Sequence, residues 1–168
     1  MDDVEHPKPT HVVARRSAAC HALAKNSPPQ SDWKAESDGE FSNLTSAEMR
    51  KRLENTDQPI GLSFQETPED ITVRSVELPP EMQGQGIGTQ LYIEAIRYAK
   101  DNGLAFKSDV GPSPESLSVY GRLIKAGLPI TQQRVSLEDG EAIQVSISED
   151  DLQENKCLKT KNTRLRVQ

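Results

Sequence analysis

The chain has 168 residues, of which 34 % are hydrophobic and 4 % aromatic, and its formal net charge is −6. That leaves room for one domain with polar segments outside its core. The negative charge argues against a general nucleic-acid binder, and no run approaches the roughly 20 apolar residues of a membrane-spanning helix.

The start, Met1-Asp2-Asp3-Val4-Glu5, is acidic and lacks an apolar signal core. The expectation is a reduced, cytoplasmic protein, although a substrate of a specialised secretion system would read the same. Residues 1–40 are polar and punctuated by Pro7, Pro9, Pro28 and Pro29, which predicts a flexible arm, transiently helical at most over 12–23. His6, His11 and His21 lie within it at spacings unlike those of a metal site; no metal is predicted. Trp33 reads as a packing anchor. Cys20 and Cys157, near opposite ends, do not suggest a disulfide framework.

A domain is expected over 41–148. Thr45-Ser46-Ala47-Glu48 has the form of a capping box, predicting a helix from Ser46 to Glu54 with Met49 and Leu53 inward. Ile60 to Phe64 alternates as a strand, Thr67-Pro68-Glu69-Asp70 is a turn, and Ile71 to Leu78 is the next strand of a hairpin. Its apolar residues are odd-numbered at Ile71 and Val73 but even-numbered at Val76 and Leu78. One extra residue shifts the phase of a strand in this way, so a β-bulge is expected near Arg74-Ser75; a short strand buried on both faces is the alternative. Pro79-Pro80 closes the strand. After Gly84, Gly86 and Gly88 comes a long amphipathic helix ending at Asn102-Gly103. A strand from Leu104 to Val110 follows, then a helix capped by Ser113 and stopping near Gly127. Last comes a hairpin, Ile130 to Leu137 and Ala142 to Ile147 joined across residues 138–141, with Val135 and Leu137 expected to face Ile143, Val145 and Ile147. The unit from Ile71 to Val110 is long enough for a right-handed crossover between parallel strands. Residues 149–168 turn acidic and then basic and read as a solvated charged tail.

Strand, glycine loop and helix together present backbone N–H groups to a phosphate. A Walker loop fails, because Gly88 is followed by Thr89 with no lysine; a dinucleotide fingerprint fits only at Gly84 and Gly86. The pattern Gln/Arg-x-x-Gly-x-Gly/Ala is met throughout by Gln83-Gly84-Gln85-Gly86-Ile87-Gly88. This hexapeptide resembles the acetyl-CoA pyrophosphate loop of the GNAT superfamily of N-acetyltransferases. The segment from Ser118 to Leu128 resembles that family's second signature, with Tyr120 at its tyrosine, although Gly127 lies further on than in the common form and Leu128 replaces an aromatic. The resemblance covers about Ile60 to Ile147.

The resemblance implies an α/β (α+β) fold: a mixed, mostly antiparallel sheet with one splayed parallel strand pair, flanked by helices. It implies acetyl transfer from acetyl-CoA, as co-substrate, to an amine of a protein or small molecule; from the residues themselves no metal and no membrane partner is expected. It places the coenzyme on Gln83, Gly84, Gln85, Gly86, Ile87, Gly88 and Thr89, on the bulged strand at Val76 and Leu78, and near Ser113 and Ser116. Tyr120 becomes the candidate acid, and a core tyrosine is the competing reading. Glu77 is the first candidate base and Asp109 the second. The family usually has more structure before its central hairpin, so a catalytically reduced, coenzyme-binding or interaction module is the rival reading. Nothing in the sequence excludes a homodimer.

Overall fold

The computed structural model describes residues 32–158. The three histidines, Cys20, the predicted transient helix and residues 159–168 lie outside the described residues. Seven strands form one sheet: β1 (Lys34–Ser37), β2 (Ser42–Thr45), β3 (Gly61–Glu66), β4 (Asp70–Glu77), β5 (Ala105–Lys107), β6 (Thr131–Leu137) and β7 (Gly140–Ile147). Their order is β1-β2-β3-β4-β5-β7-β6. Every neighbouring pair is antiparallel except β4 and β5, as the crossover argument requires. The described helices are α1 (Ala47–Leu53), α2 (Ile87–Asp101), α3 (Pro114–Lys125) and α4 (Glu149–Glu154). The mixed α/β architecture expected from the sequence is the one observed. No helix among the described residues is long and apolar enough to cross a membrane.

Helix α2 organises the core. Leu91, Ala95, Ile96 and Ala99 are fully buried against sheet residues such as Phe64, Ile71 and Phe106. Ile93 is buried too, and Glu94 and Arg97 form a buried ion pair one turn apart. The helix is therefore covered more widely than a single amphipathic stripe implies.

Both margins of the fold differ from expectation. β1 pairs with β2 over Lys34–Ser37, so part of the segment read as an arm is a strand of the sheet; Trp33, 6 % exposed, packs in the core as an anchor. At the other end, residues read as a solvated tail form α4, with Leu152 and Leu158 buried. The Lys100 ammonium donates to the carbonyls of Asn155 and Leu158, and Gln153 Nε2 donates to Lys100 O at 2.8 Å. These bonds fasten the segment to the end of α2. Cys157 is disulfide-bonded, against the expectation of a reduced chain.

The last hairpin has a register that the apolar pattern concealed. Leu137 pairs with Gly140 across a two-residue turn, and Val135 pairs with Ala142. An even-numbered turn places each odd position of β6 opposite an even position of β7. Val135 and Leu137 thus lie on the face opposite Ile143, Val145 and Ile147, rather than facing them.

Candidate active site

The site begins where β4 and β5 part. They pair only at Asp70–Ala105, Ile71–Phe106 and Thr72–Lys107, and two local causes separate them beyond that point. On β4, Phe64 pairs with Val73 and Ser63 with Ser75, leaving Arg74 as one extra residue. This is the bulge inferred from the phase change. On the β5 side, Ser108 is 1 % exposed and commits itself to β7: its N–H donates to Val145 O (2.8 Å) and its hydroxyl accepts from Val145 N–H (2.9 Å). The same hydroxyl donates to Asp109 O at 2.8 Å, and Gly111 N–H continues onto Ile143 O at 2.9 Å. The strand therefore follows β7 and leaves β4. Across the gap, Arg74 Nη1 meets Asp109 Oδ1 at 2.7 Å, and Arg74 Nε donates to Gln65 Oε1 at 2.7 Å.

The parted strands open into a cleft of about 1020 Å³ that runs from Arg74 and Asp109 to the glycine loop. A single 3₁₀ turn, Pro80–Met82, leads into that loop. Gln83 Nε2 donates to Leu78 O (3.0 Å) and Gln85 Nε2 to Glu81 O (2.8 Å), so both glutamine side chains brace the turn. Gly84 and Gly86 have φ of +75° and +79°, which side chains other than glycine adopt at a cost. Gly86 is the N-cap of α2, and the first helical hydrogen bond runs from Gln90 N–H to Gly86 O at 3.1 Å. The N–H groups of Ile87, Gly88 and Thr89 precede that ladder and carry the positive end of a 15-residue helix.

The opposite wall comes from α3. Ser113 caps it by accepting from Ser116 N–H at 3.1 Å. Ser116 Oγ lies 3.1 Å from Ser113 Oγ and 2.6 Å from the Tyr92 hydroxyl. Tyr92 reaches the cleft from α2, a role hidden in the sequence by its place on an apolar helix face. Its ring meets Tyr120 edge-on at 5.2 Å, and Phe106 meets Tyr120 from another side at 6.2 Å. Tyr120 is 1 % exposed yet lines the cleft, and among the described residues no hydrogen bond engages its hydroxyl. Burial raises its pKa well above the ordinary phenol, reinforced by Tyr92 and by the negative charge of Asp109. Burial also raises Tyr92, partly offset by the Ser116 hydrogen bond. Tyr120 is thus packed in the core and also lines the cleft.

Most residues nominated from the sequence meet in this cleft: Val76, Leu78, Gln83, Gly84, Gly86, Gly88, Thr89, Ser113, Ser116 and Tyr120. Gln85 and Ile87 belong to the loop, but their side chains do not line the cleft. Glu77 does not join them. It is exposed at the end of β4, paired with Gly61. The carboxylates that do line the cleft are Asp109 and Glu115. Sequence reasoning missed Tyr92, Ser108 and Arg122; the first two stand in no recognisable motif, and Arg122 falls inside the second signature at a position that signature leaves open. Among the described residues no cluster of side chains could hold a metal ion.

The Acetyltransferase (GNAT) family model matches residues 18–123. The chain belongs to the GNAT family. The match takes in the bulged strand, the glycine loop, α2 and most of α3. Among solved structures, this GNAT chain is similar to a "putative acetyltransferase" from Agrobacterium tumefaciens, at 19 % identity over 88 % of this chain and 96 % of that one, with a TM-score of 0.45. It is similar to the ribosomal-protein-S18-alanine N-acetyltransferase of Escherichia coli at 15 % identity, over 76 % and 75 % of the two chains, with a TM-score of 0.43. It is also similar to Escherichia coli ElaA at 13 % identity, over 80 % and 88 %, with a TM-score of 0.42. No curated protein matches it significantly.

Proposed function

We propose that this GNAT chain is an N-acetyltransferase that moves the acetyl group of acetyl-CoA onto an amine by direct attack. One observation carries the reading: a single cleft joins a loop of unladdered N–H groups to a buried tyrosine whose hydroxyl has no hydrogen-bond partner among the described residues. The loop and the start of α2 suit a diphosphate. The edge of β4 beyond Thr72, which β5 no longer pairs, suits an extended arm bearing amides. Acetyl-CoA supplies the activated thioester.

The residues then divide the proton work. An alkylamine of pKa about 10.4 must lose one proton before it attacks, and in this scheme Asp109, one of the two carboxylates lining the cleft, receives it. As the new C–N bond forms and the C–S bond breaks, nitrogen sheds a second proton and sulfur gains one. Full ionisation of Tyr120 toward a thiolate (thiol pKa about 8.5) is uphill from an ordinary phenol and more so here. Tyr120 therefore acts as a relay: its proton goes to sulfur while its oxygen takes the one leaving nitrogen. Glu77, exposed and outside the cleft, has no part in this scheme.

The test is thiol release from acetyl-CoA with a panel of amines. Tyr120→Phe, which removes the hydroxyl and keeps the ring, is expected to cut kcat about 10²–10⁴-fold with little change in coenzyme affinity. Coenzyme binding without thiol release from any amine would instead mark a binding module.

A further inference from the structure

Among the described residues two cationic side chains line the cleft, Arg74 and Arg122. Arg74 is committed to Asp109. Arg122 is held differently. From α3 its Nη2 donates to Thr89 Oγ1 at 2.9 Å and its Nη1 to Ser118 Oγ at 3.1 Å. No carboxylate pairs with it among the described residues, although Asp109 and Glu115 line the same cleft. The guanidinium is thus fixed by two neutral hydroxyls, with its charge uncompensated and three of its five N–H donors left over. Thr89 belongs to the first turn of α2, beside the N–H groups that precede the ladder. A structural tether between two helices needs no full positive charge, and one set beside a helix's positive end is unfavourable unless an anion joins it.

We propose that Arg122 is the cation that grips a phosphate ester of the coenzyme, completing from α3 the anion site that the glycine loop begins. This rests on the reading of the cleft as a coenzyme site. Arg122 would supply a full positive charge where the loop supplies only dipoles. The ester is either a phosphate of the diphosphate bridge, which carries one negative charge, or the 3′-phosphate of the adenosine, which carries up to two; both present anionic oxygens to a guanidinium.

Calorimetric titration of the full chain with CoA and with 3′-dephospho-CoA tests this, using wild type, Arg122→Gln and Arg122→Lys. Arg122→Gln is expected to bind CoA at least tenfold more weakly, with the unliganded thermal midpoint within a few degrees of wild type. Arg122→Lys, which keeps the charge, is expected to recover most of the loss. If dephospho-CoA binding is unaffected by Arg122→Gln, the 3′-phosphate is the partner; if both ligands weaken alike, the diphosphate is. Equal affinities for wild type and Arg122→Gln would overturn the proposal, as would equal losses in the glutamine and lysine variants, which would mark a packing role. A wild type that binds neither ligand would instead sink the coenzyme reading itself, a failure visible before any variant is made.

Discussion

The first three residue pairs of β4 and β5 and the next few positions behave as two materials. At the zipped end, Ile71 and Phe106 are paired neighbours and fully buried. At the parted end stand Arg74, Ser75, Ser108 and Asp109, lining a cleft. Composition alone does not account for the change. An extra residue on β4 and a hydroxyl just past the end of β5 that joins the β7 ladder redirect the backbone, and polar side chains occupy the space so made. Core and candidate site are thus consecutive stretches of the same strands, and substitutions on either side of the divide should fail in different ways.

The largest effect is expected at the zipped end. Phe106→Ala removes a fully buried ring that also meets Tyr120, and should cost about 3–5 kcal/mol in urea unfolding. A loss below 1 kcal/mol would mean that this end is no more structural than the other. Alkaline pH comes next. Tyr92, Tyr98 and Tyr120 all have raised pKa values. For Tyr98, burial is the first cause, and its 2.6 Å hydrogen bond to Glu66 adds to it. Unfolded tyrosines ionise near pH 10 while the folded ones stay protonated, so their contribution is whole below about pH 10 and declines as pH rises above it. The expected loss is about 1.4 kcal/mol per pH unit for a fully buried tyrosine such as Tyr120, and smaller for the half-exposed Tyr98. Chemical denaturation at pH 9, 10 and 11 reads it, and Tyr120→Phe should flatten the slope.

A smaller loss is expected where the strands divide. Ser108→Ala strips an acceptor from Val145 N–H in a buried position, which should cost about 1–3 kcal/mol. It should also raise hydrogen exchange at Val145 before exchange at Phe106 rises. Equal exchange at both amides would show that the hydroxyl does not govern the parting.

The sequence announced the β4 half of this arrangement and hid the β5 half. A strand that changes phase must do so visibly, because apolar side chains have only two faces to choose between; hence Arg74 was found. The positive φ values at Gly84 and Gly86 restrict residue choice so sharply that the loop shows as a motif. Ser108 looks like any serine in a strand, since its role depends on Val145, 37 positions away. The Arg122–Thr89 contact spans 33 positions and likewise leaves no periodic trace. β1 was missed because Lys34, Glu36 and Ser37 are exposed and Ala35 only half-buried, which gives no alternation to read. α4 was missed because Leu152 and Leu158 are two isolated apolar residues in a charged segment. Tyr92 was placed on its helix, but nothing local distinguishes a tyrosine that packs from one that packs and also offers its hydroxyl to a cleft.

The smallest effect bears hardest on the comparison. Arg74 and Asp109 bridge the parted strands, and a bridge invites the view that it holds them. Their side chains are 41 % and 42 % exposed, however, and ion pairs so open to water contribute about 0–1 kcal/mol, less with added salt. Arg74→Gln keeps the extra residue, and with it the bulge, while removing the charge. Its unfolding free energy should therefore fall by less than about 1 kcal/mol, with the difference shrinking at 0.5 M salt. Thiol release should respond more than stability does, because Asp109 Oδ1 loses its guanidinium partner in the cleft and is left free to turn toward a bound amine. A loss above 2 kcal/mol with no change in rate would reverse the assignment: the pair would then be a strap, and the parted end would owe its shape to charge rather than to the backbone.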